Sequence, residues 1–157
     1  MSWRRNPSKR HCSANLFPLN LERMENYEER NADFLKSVRR WQEKGREITG
    51  RPFSVGTAVR KALTGGAPRF YLTREHVWKK MRERRHRLPP REKPYRRAMW
   101  SEIEAALERR MREAPRESRW EALDYVLTRH SPSGFFISEP YAMRLVYRQI
   151  KGKDIAK

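Results

Sequence analysis

The chain has 157 residues, about one domain's length, and 37 Lys and Arg against 19 Asp and Glu give it a net charge of +18. Hydrophobic residues make up 37% and the mean hydropathy is −1.05, so no run approaches the roughly 18 uncharged apolar residues that span a bilayer, and no apolar signal core follows the N-terminus. Cys12 is the only cysteine, which excludes an intramolecular disulfide and a cysteine-built zinc site within one chain, while five Trp, six Tyr and six Phe supply enough bulk for a small core.

Residues 1–23 read as a basic, mobile N-terminal arm. The first twenty hold Arg4, Arg5, Lys9 and Arg10 with no acid, two prolines and no helical or strand period. Two other readings are an Arg-rich transit segment and a translation start at Met24. From Leu21 to about Lys44 the pattern is helical, with Phe34, Leu35, Val38 and Trp41 on one face, Asn31 available as an internal N-cap and Gly45 as the stop. Ser54 caps the next helix, whose Val55, Ala58, Val59, Ala62 and Leu63 form the cleanest amphipathic stripe in the chain before Gly65-Gly66.

After Pro68, Phe70-Tyr71-Leu72 reads as a short strand, and Thr73 caps a helix that turns Val77, Trp78, Met81 and Leu88 inward until Pro89-Pro90. A fourth helix runs from about Tyr95 to Glu113, with Ser101 to Glu104 as an alternative capping-box start, and Ser118-Arg119-Trp120-Glu121 opens a fifth. Phe135-Phe136-Ile137 reads as a second strand. Ser138 then caps a last helix with Ala142, Leu145, Val146 and Ile150 inward and Gly152 at its end, followed by a basic tail over 153–157.

The halves echo one another. At a shift of 64, Ala58, Leu63, Thr64 and Pro68 find Ala122, Leu127, Thr128 and Pro132, and with one inserted residue Phe70-Tyr71-Leu72-Thr73 falls on Phe135-Phe136-Ile137-Ser138. The expected fold is therefore mainly α. It is a single small helical domain over 24–152 with an internal α-α-β-α duplication, about 31–88 and 95–151, whose short strands pair as a two-stranded antiparallel sheet at a pseudo-two-fold axis. The shared core is expected from Trp41, Val59, Leu63, Phe70, Leu72, Val77, Trp78, Ile103, Leu107, Trp120, Leu127, Phe135, Ile137, Leu145 and Val146.

Asn31-Ala32-Asp33-Phe34-Leu35, Ala67-Pro68-Arg69-Phe70-Tyr71-Leu72-Thr73 and its echo Ser133 to Ser138 resemble small basic proteins of Bacteroidetes genomes and their mobile elements, a group with no assigned activity. The resemblance covers about residues 24–151. It implies a bacterial, cytoplasmic setting and Met24 as the start.

Charge is concentrated where the halves differ. Residues 69–97 hold twelve basic and three acidic side chains, half of the whole excess, whereas residues 98–130 carry a net −1. The densest part comprises Lys79, Lys80, Arg82, Arg84, Arg85, Arg87, Arg91, Lys93, Arg96 and Arg97, faced only by Glu83 and Glu92. Ten cations along a helix and the linker after it can follow a phosphate backbone, driven by counterion release and without reading bases. Non-enzymatic binding of DNA or RNA through these ten residues is the expected function, by a monomer or weak oligomer. The alternative is an adaptor that docks on an acidic protein partner.

A helix-turn-helix fits poorly, because a Gly-Gly, a proline and the aromatic run separate the second helix from the third. Tyr71 or Phe136 could stack on bases, but a core role suits them better. Catalysis is not expected. Asp33, Asp124 and Asp154 are scattered; His11, His76, His86 and His130 lack metal-ligand spacing; and neither GxxxxGK[ST] nor GxGxxG occurs. No metal or cofactor site is expected, and no membrane contact.

Overall fold

A computed structural model describes residues 16–155, with side chains described from 26 to 152. Within them lie six helices: α1 (Leu16–Thr49), α2 (Val55–Thr64), α3 (Arg74–His86), α4 (Pro94–Glu113), α5 (Arg119–Arg129) and α6 (Glu139–Ile155). The mainly helical expectation holds. Residues 1–15 of the expected arm lie outside the described residues, and 16–23 already belong to α1.

Local signals set most of the starts. Ser54, Thr73 and Ser138 accept from the backbone N–H three residues on, and Ser118 and Glu121 close a capping box with both bonds present. Ser101 starts nothing. Pro94 opens α4 at its first turn, where the missing N–H costs no helical bond, and Ser101 lies exposed inside the helix. Asn31 likewise sits within α1, where its amide donates to the Tyr141 hydroxyl at 3.1 Å and ties α1 to α6.

Gly45 does not stop α1, which continues to Thr49. A Cβ there would lie 2.5 Å from Phe53 N and 2.7 Å from Phe53 Cγ, so the glycine makes room for the turn that brings α2 back along α1. Gly45→Ala is expected to lower stability by about 1–3 kcal/mol in chemical denaturation, although alanine is the better helix former. Gly152 does not close α6 either, which runs to Ile155.

The two expected strands, and the antiparallel sheet built from them, are not there: no strand occurs among the described residues. Tyr71 and Phe136 adopt φ of 58° and 54°, the only non-glycine residues with positive φ among the described residues, and the left-handed conformation breaks an extended run at its middle residue. The two segments meet through rings instead. Phe70 stacks on Phe136 with centroids 6.2 Å apart, and Tyr71 on Phe135 at 6.3 Å; Ala67 N–H donates to Pro132 C=O at 3.1 Å. Left-handed backbone at bulky residues costs about 1–3 kcal/mol each and persists only where packing on both sides dictates it.

Neighbouring side chains of the two connections enter two separate cores. One gathers Phe34, Val38, Ala58, Val59, Ala62, Tyr71, Phe135, Ile137, Ala142 and Val146 from α1, α2, α6 and both connections. The other gathers Phe70, Val77, Met81, Trp100, Ile103, Leu107, Ala122, Leu123 and Val126 from α3, α4, α5 and the first connection, with Leu72 and Phe136 packed against it. The third helix of each half thus serves the other half's core: α3 packs on α5, and α6 on α2.

Of the expected core, Val59, Phe70, Val77, Ile103, Leu107, Phe135, Ile137 and Val146 are buried, while Trp41, Leu63, Leu72, Trp78, Trp120, Leu127 and Leu145 are half-buried. Leu88 and Ile150, expected inward, are exposed, Leu88 because α3 ends at His86 before its turn comes round.

Candidate nucleic-acid interface

The basic segment starts from a helix with a narrow apolar stripe. Thr73 caps α3, Val77 and Met81 are buried, and Trp78 packs edge-on against Trp120 of α5 at 5.1 Å. Beside that contact the Arg74 guanidinium lies 4.2 Å from the Trp120 ring centre and bridges to Asp124 at 3.3 Å. This seam leaves Lys79, Arg82 and Arg85 exposed. Lys80 is half-buried and bridges to Glu83 at 3.3 Å.

The polypeptide leaves α3 in extended form at Arg87, turns through Pro90 and Arg91, and enters α4 at Pro94. Arg87, Arg91 and Lys93 on this linker and Arg96 and Arg97 in the first turn of α4 are all exposed. Eight of the ten expected residues, Lys79, Arg82, Arg85, Arg87, Arg91, Lys93, Arg96 and Arg97, therefore lie at the surface with no acidic partner among the described residues.

Arg84 is the exception. Its side chain is only 9% exposed and pairs with Glu92, itself 7% exposed; its Nε lies 3.9 Å from Glu104 on α4, and its guanidinium lies 5.7 Å from the centre of the buried Trp100 ring. Arg84 thus faces inward as a clamp joining α3, the linker and α4, and cannot reach a phosphate without leaving it. Sequence reasoning counted it with its neighbours, yet its place seven residues after Val77 and three after Met81 puts it on the apolar stripe.

Elsewhere several arginines are paired with acids. Arg69 pairs with Glu29, Arg60 with Glu139 at 3.4 Å, and Arg110 with Glu117, Nε to Oε2 at 2.9 Å. Tyr71 is buried and donates to Asp33 at 2.6 Å, so its ring offers no platform to a base; burial first, and that bond second, push its phenol above the ordinary range.

A second polar knot, unforeseen from sequence, joins α4 to the connection before α6. Glu102 accepts from Ser133 N–H at 2.9 Å and Ser133 Oγ at 2.6 Å and lies 3.2 Å from His130 Nε2, while the His130 ring stacks on Phe70 at 5.7 Å. Burial alone would raise the Glu102 carboxyl, but the bonds from Ser133 and His130 outweigh it and hold it below its ordinary value. The carboxylate's contribution to stability is therefore full above the unfolded carboxylate range, near pH 4.3, and is lost as pH falls through the lower folded value. In acid titrations of unfolding free energy, Glu102→Gln is expected to flatten the loss below about pH 5 and to cost about 1.5–3 kcal/mol at neutral pH.

No three His, Cys, Asp or Glu side chains form a metal-binding group among the described residues, and no described helix is long and apolar enough to cross a membrane. Comparison with protein-family models, curated proteins and solved structures finds no match.

Proposed function

We propose that this chain binds nucleic acid along its phosphate backbone and has no catalytic role of its own. The observation that carries the reading is the run of eight exposed cations, without acidic partners among the described residues, that is continuous over the end of α3, the linker and the start of α4. The Arg84–Glu92 clamp supports it, because it fixes the linker against both helices and spares the ligand that ordering cost. Contacts of this kind favour polyanions by charge and accept DNA or RNA of any sequence.

The two halves are proposed to be copies of one unit. At a shift of 65, buried Val77 and Met81 correspond to buried Ala142 and Val146, and the left-handed Tyr71 to the left-handed Phe136. On that plan Lys79 corresponds to Arg144 and Glu83 to Arg148, so α6 presents a sparser basic surface built the same way. A cytoplasmic protein associated with bacterial mobile elements fits this reading. An acidic protein partner is the second reading, favoured by Leu88, which stands 66% exposed amid the cations.

Reversal variants separate the copies. With a 5′-hydroxyl random duplex, Lys79→Glu/Arg82→Glu/Arg85→Glu is expected to lose binding by two or more orders of magnitude, and Arg144→Glu/Arg148→Glu by less than about tenfold. Equal losses would remove the assignment to α3, and binding of an acidic peptide in preference to the duplex would favour the second reading.

A further inference from the structure

Outside the basic strip, α4 and α5 enclose a cleft of about 240 Å³ lined by Ala106, Arg109, Arg110, Glu113, Tyr125, Val126, Arg129 and His130. Its floor is apolar, since Ala106 and Val126 are buried, and its far wall is His130, held by Glu102. One side is preformed: Arg110 is fixed by Glu117 and lies 3.6 Å from the centre of the Tyr125 ring. Glu117 neutralises that arginine, so Arg110 acts as a wall.

Arg109 and Arg129 differ from it. Both are exposed, both lack an acidic partner among the described residues, and they reach the same cleft from different helices, Arg129 passing 6.0 Å from the Tyr125 ring centre. Compensation of the helix dipole accounts for Arg129 in the last turn of α5, but Arg109 lies before the last turn of α4, and the dipole does not account for the convergence of the two on one cavity. Glu113 is the only acid on the lining, so with Arg110 neutralised the cleft keeps a positive excess.

We propose that this cleft is a binding site for a phosphate monoester, gripped between Arg109 and Arg129. Guanidinium groups match phosphate oxygens two at a time, and two of them converging on a closed-bottomed cleft suit a terminal phosphate with three free oxygens better than a diester whose chain must continue through the site. The monoester comes either from a free nucleotide or from the end of a nucleic-acid strand. The site stands apart from the strip on α3 and does not depend on it.

The test is a titration of the full chain with inorganic phosphate, adenosine 5′-monophosphate, adenosine and a 5′-phosphorylated or 5′-hydroxyl oligonucleotide, reading the Tyr125 and His130 ring signals by NMR. Inorganic phosphate and the monophosphate are expected to shift both rings saturably, and adenosine to leave them unmoved. Arg109→Gln and Arg129→Gln are each expected to weaken binding by about tenfold or more, whereas Glu113→Gln strengthens it. Both arginines are exposed, so neither substitution threatens the fold, and Glu113→Gln gives an effect of opposite sign that unfolding would not produce.

Equal affinity for the free monophosphate and the phosphorylated strand assigns the site to nucleotides; preference for the phosphorylated over the hydroxyl strand assigns it to strand ends. The proposal is overturned if the ring shifts stay linear in phosphate, if adenosine shifts them equally, or if Lys79→Gln/Arg85→Gln abolishes the response while Arg129→Gln does not.

Discussion

Arg84→Glu is expected to unfold the protein at room temperature or bring it close to unfolding, whereas Arg85→Glu, one residue along, should change stability by less than about 0.5 kcal/mol. The reversal would set a buried carboxylate against Glu92 and Glu104, where the native guanidinium now mediates between the two acids and the Trp100 ring. Removing one partner of a buried ion pair costs about 3–5 kcal/mol, a large part of a small domain's stability, and reversal adds repulsion to that loss. Replacing both partners, as in Arg84→Met/Glu92→Leu, should recover most of the loss, because apolar side chains of similar volume need no desolvation. Guanidinium denaturation of the three variants checks the order. One practical consequence concerns binding studies: a set of charge reversals that includes Arg84 would lose binding through unfolding.

Cutting the chain between Pro89 and Pro90 is expected to give two fragments that do not fold separately but assemble one to one when mixed. The reason lies in the exchange of third helices. Fragment 1–89 keeps α1 and α2 but loses α6, which carries Ala142 and Val146 of their core; fragment 90–157 keeps α4 and α5 but loses Val77 and Met81 of α3. Under the proposed duplication, pairing of unlike fragments is favoured over like ones by two corresponding ion pairs of opposite sense. Arg74 of α3 meets Asp124 of α5, and at the related place Glu139 of α6 meets Arg60 of α2. Two copies of the first fragment would set Arg74 against Arg60, and two of the second Glu139 against Asp124, which is like-charge repulsion in both cases. Circular dichroism of each fragment and of the mixture decides it; a cooperative, native-like unfolding transition for fragment 1–89 alone as a monomer would contradict the interdependence.

What the sequence disclosed and what it hid divide along the range of the forces involved. Ser54, Thr73, Ser118 and Ser138 were legible as helix starts because capping is settled within four residues. Gly45 misled because glycine both stops helices and permits close approach, and only the return of Phe53 decides between the two. The run Phe70-Tyr71-Leu72 has strand composition and divides its side chains between two cores as a strand would, but the positive φ of Tyr71 interrupts the extended backbone, and no local rule announces it. In the candidate site the position of the charge was legible and its division was not. Arg84 was readable in principle from its register with Val77 and Met81, but its partner Glu92 lies beyond two prolines, in a linker whose path no local rule sets. The convergence of Arg109 with Arg129 on the α4–α5 cleft depends on how two helices pack, which no local pattern carries.

The most direct measurement is the affinity of the intact protein for a labelled random-sequence duplex across salt from about 50 to 200 mM. Eight backbone contacts call for a log–log slope near −7 and a loss of roughly 10³ to 10⁵ in affinity over that range, with the slope reduced by about three units in Lys79→Gln/Arg82→Gln/Arg85→Gln. No binding at the lowest salt, or a slope that those three substitutions leave unchanged, would contradict the assignment of this surface to a phosphate backbone.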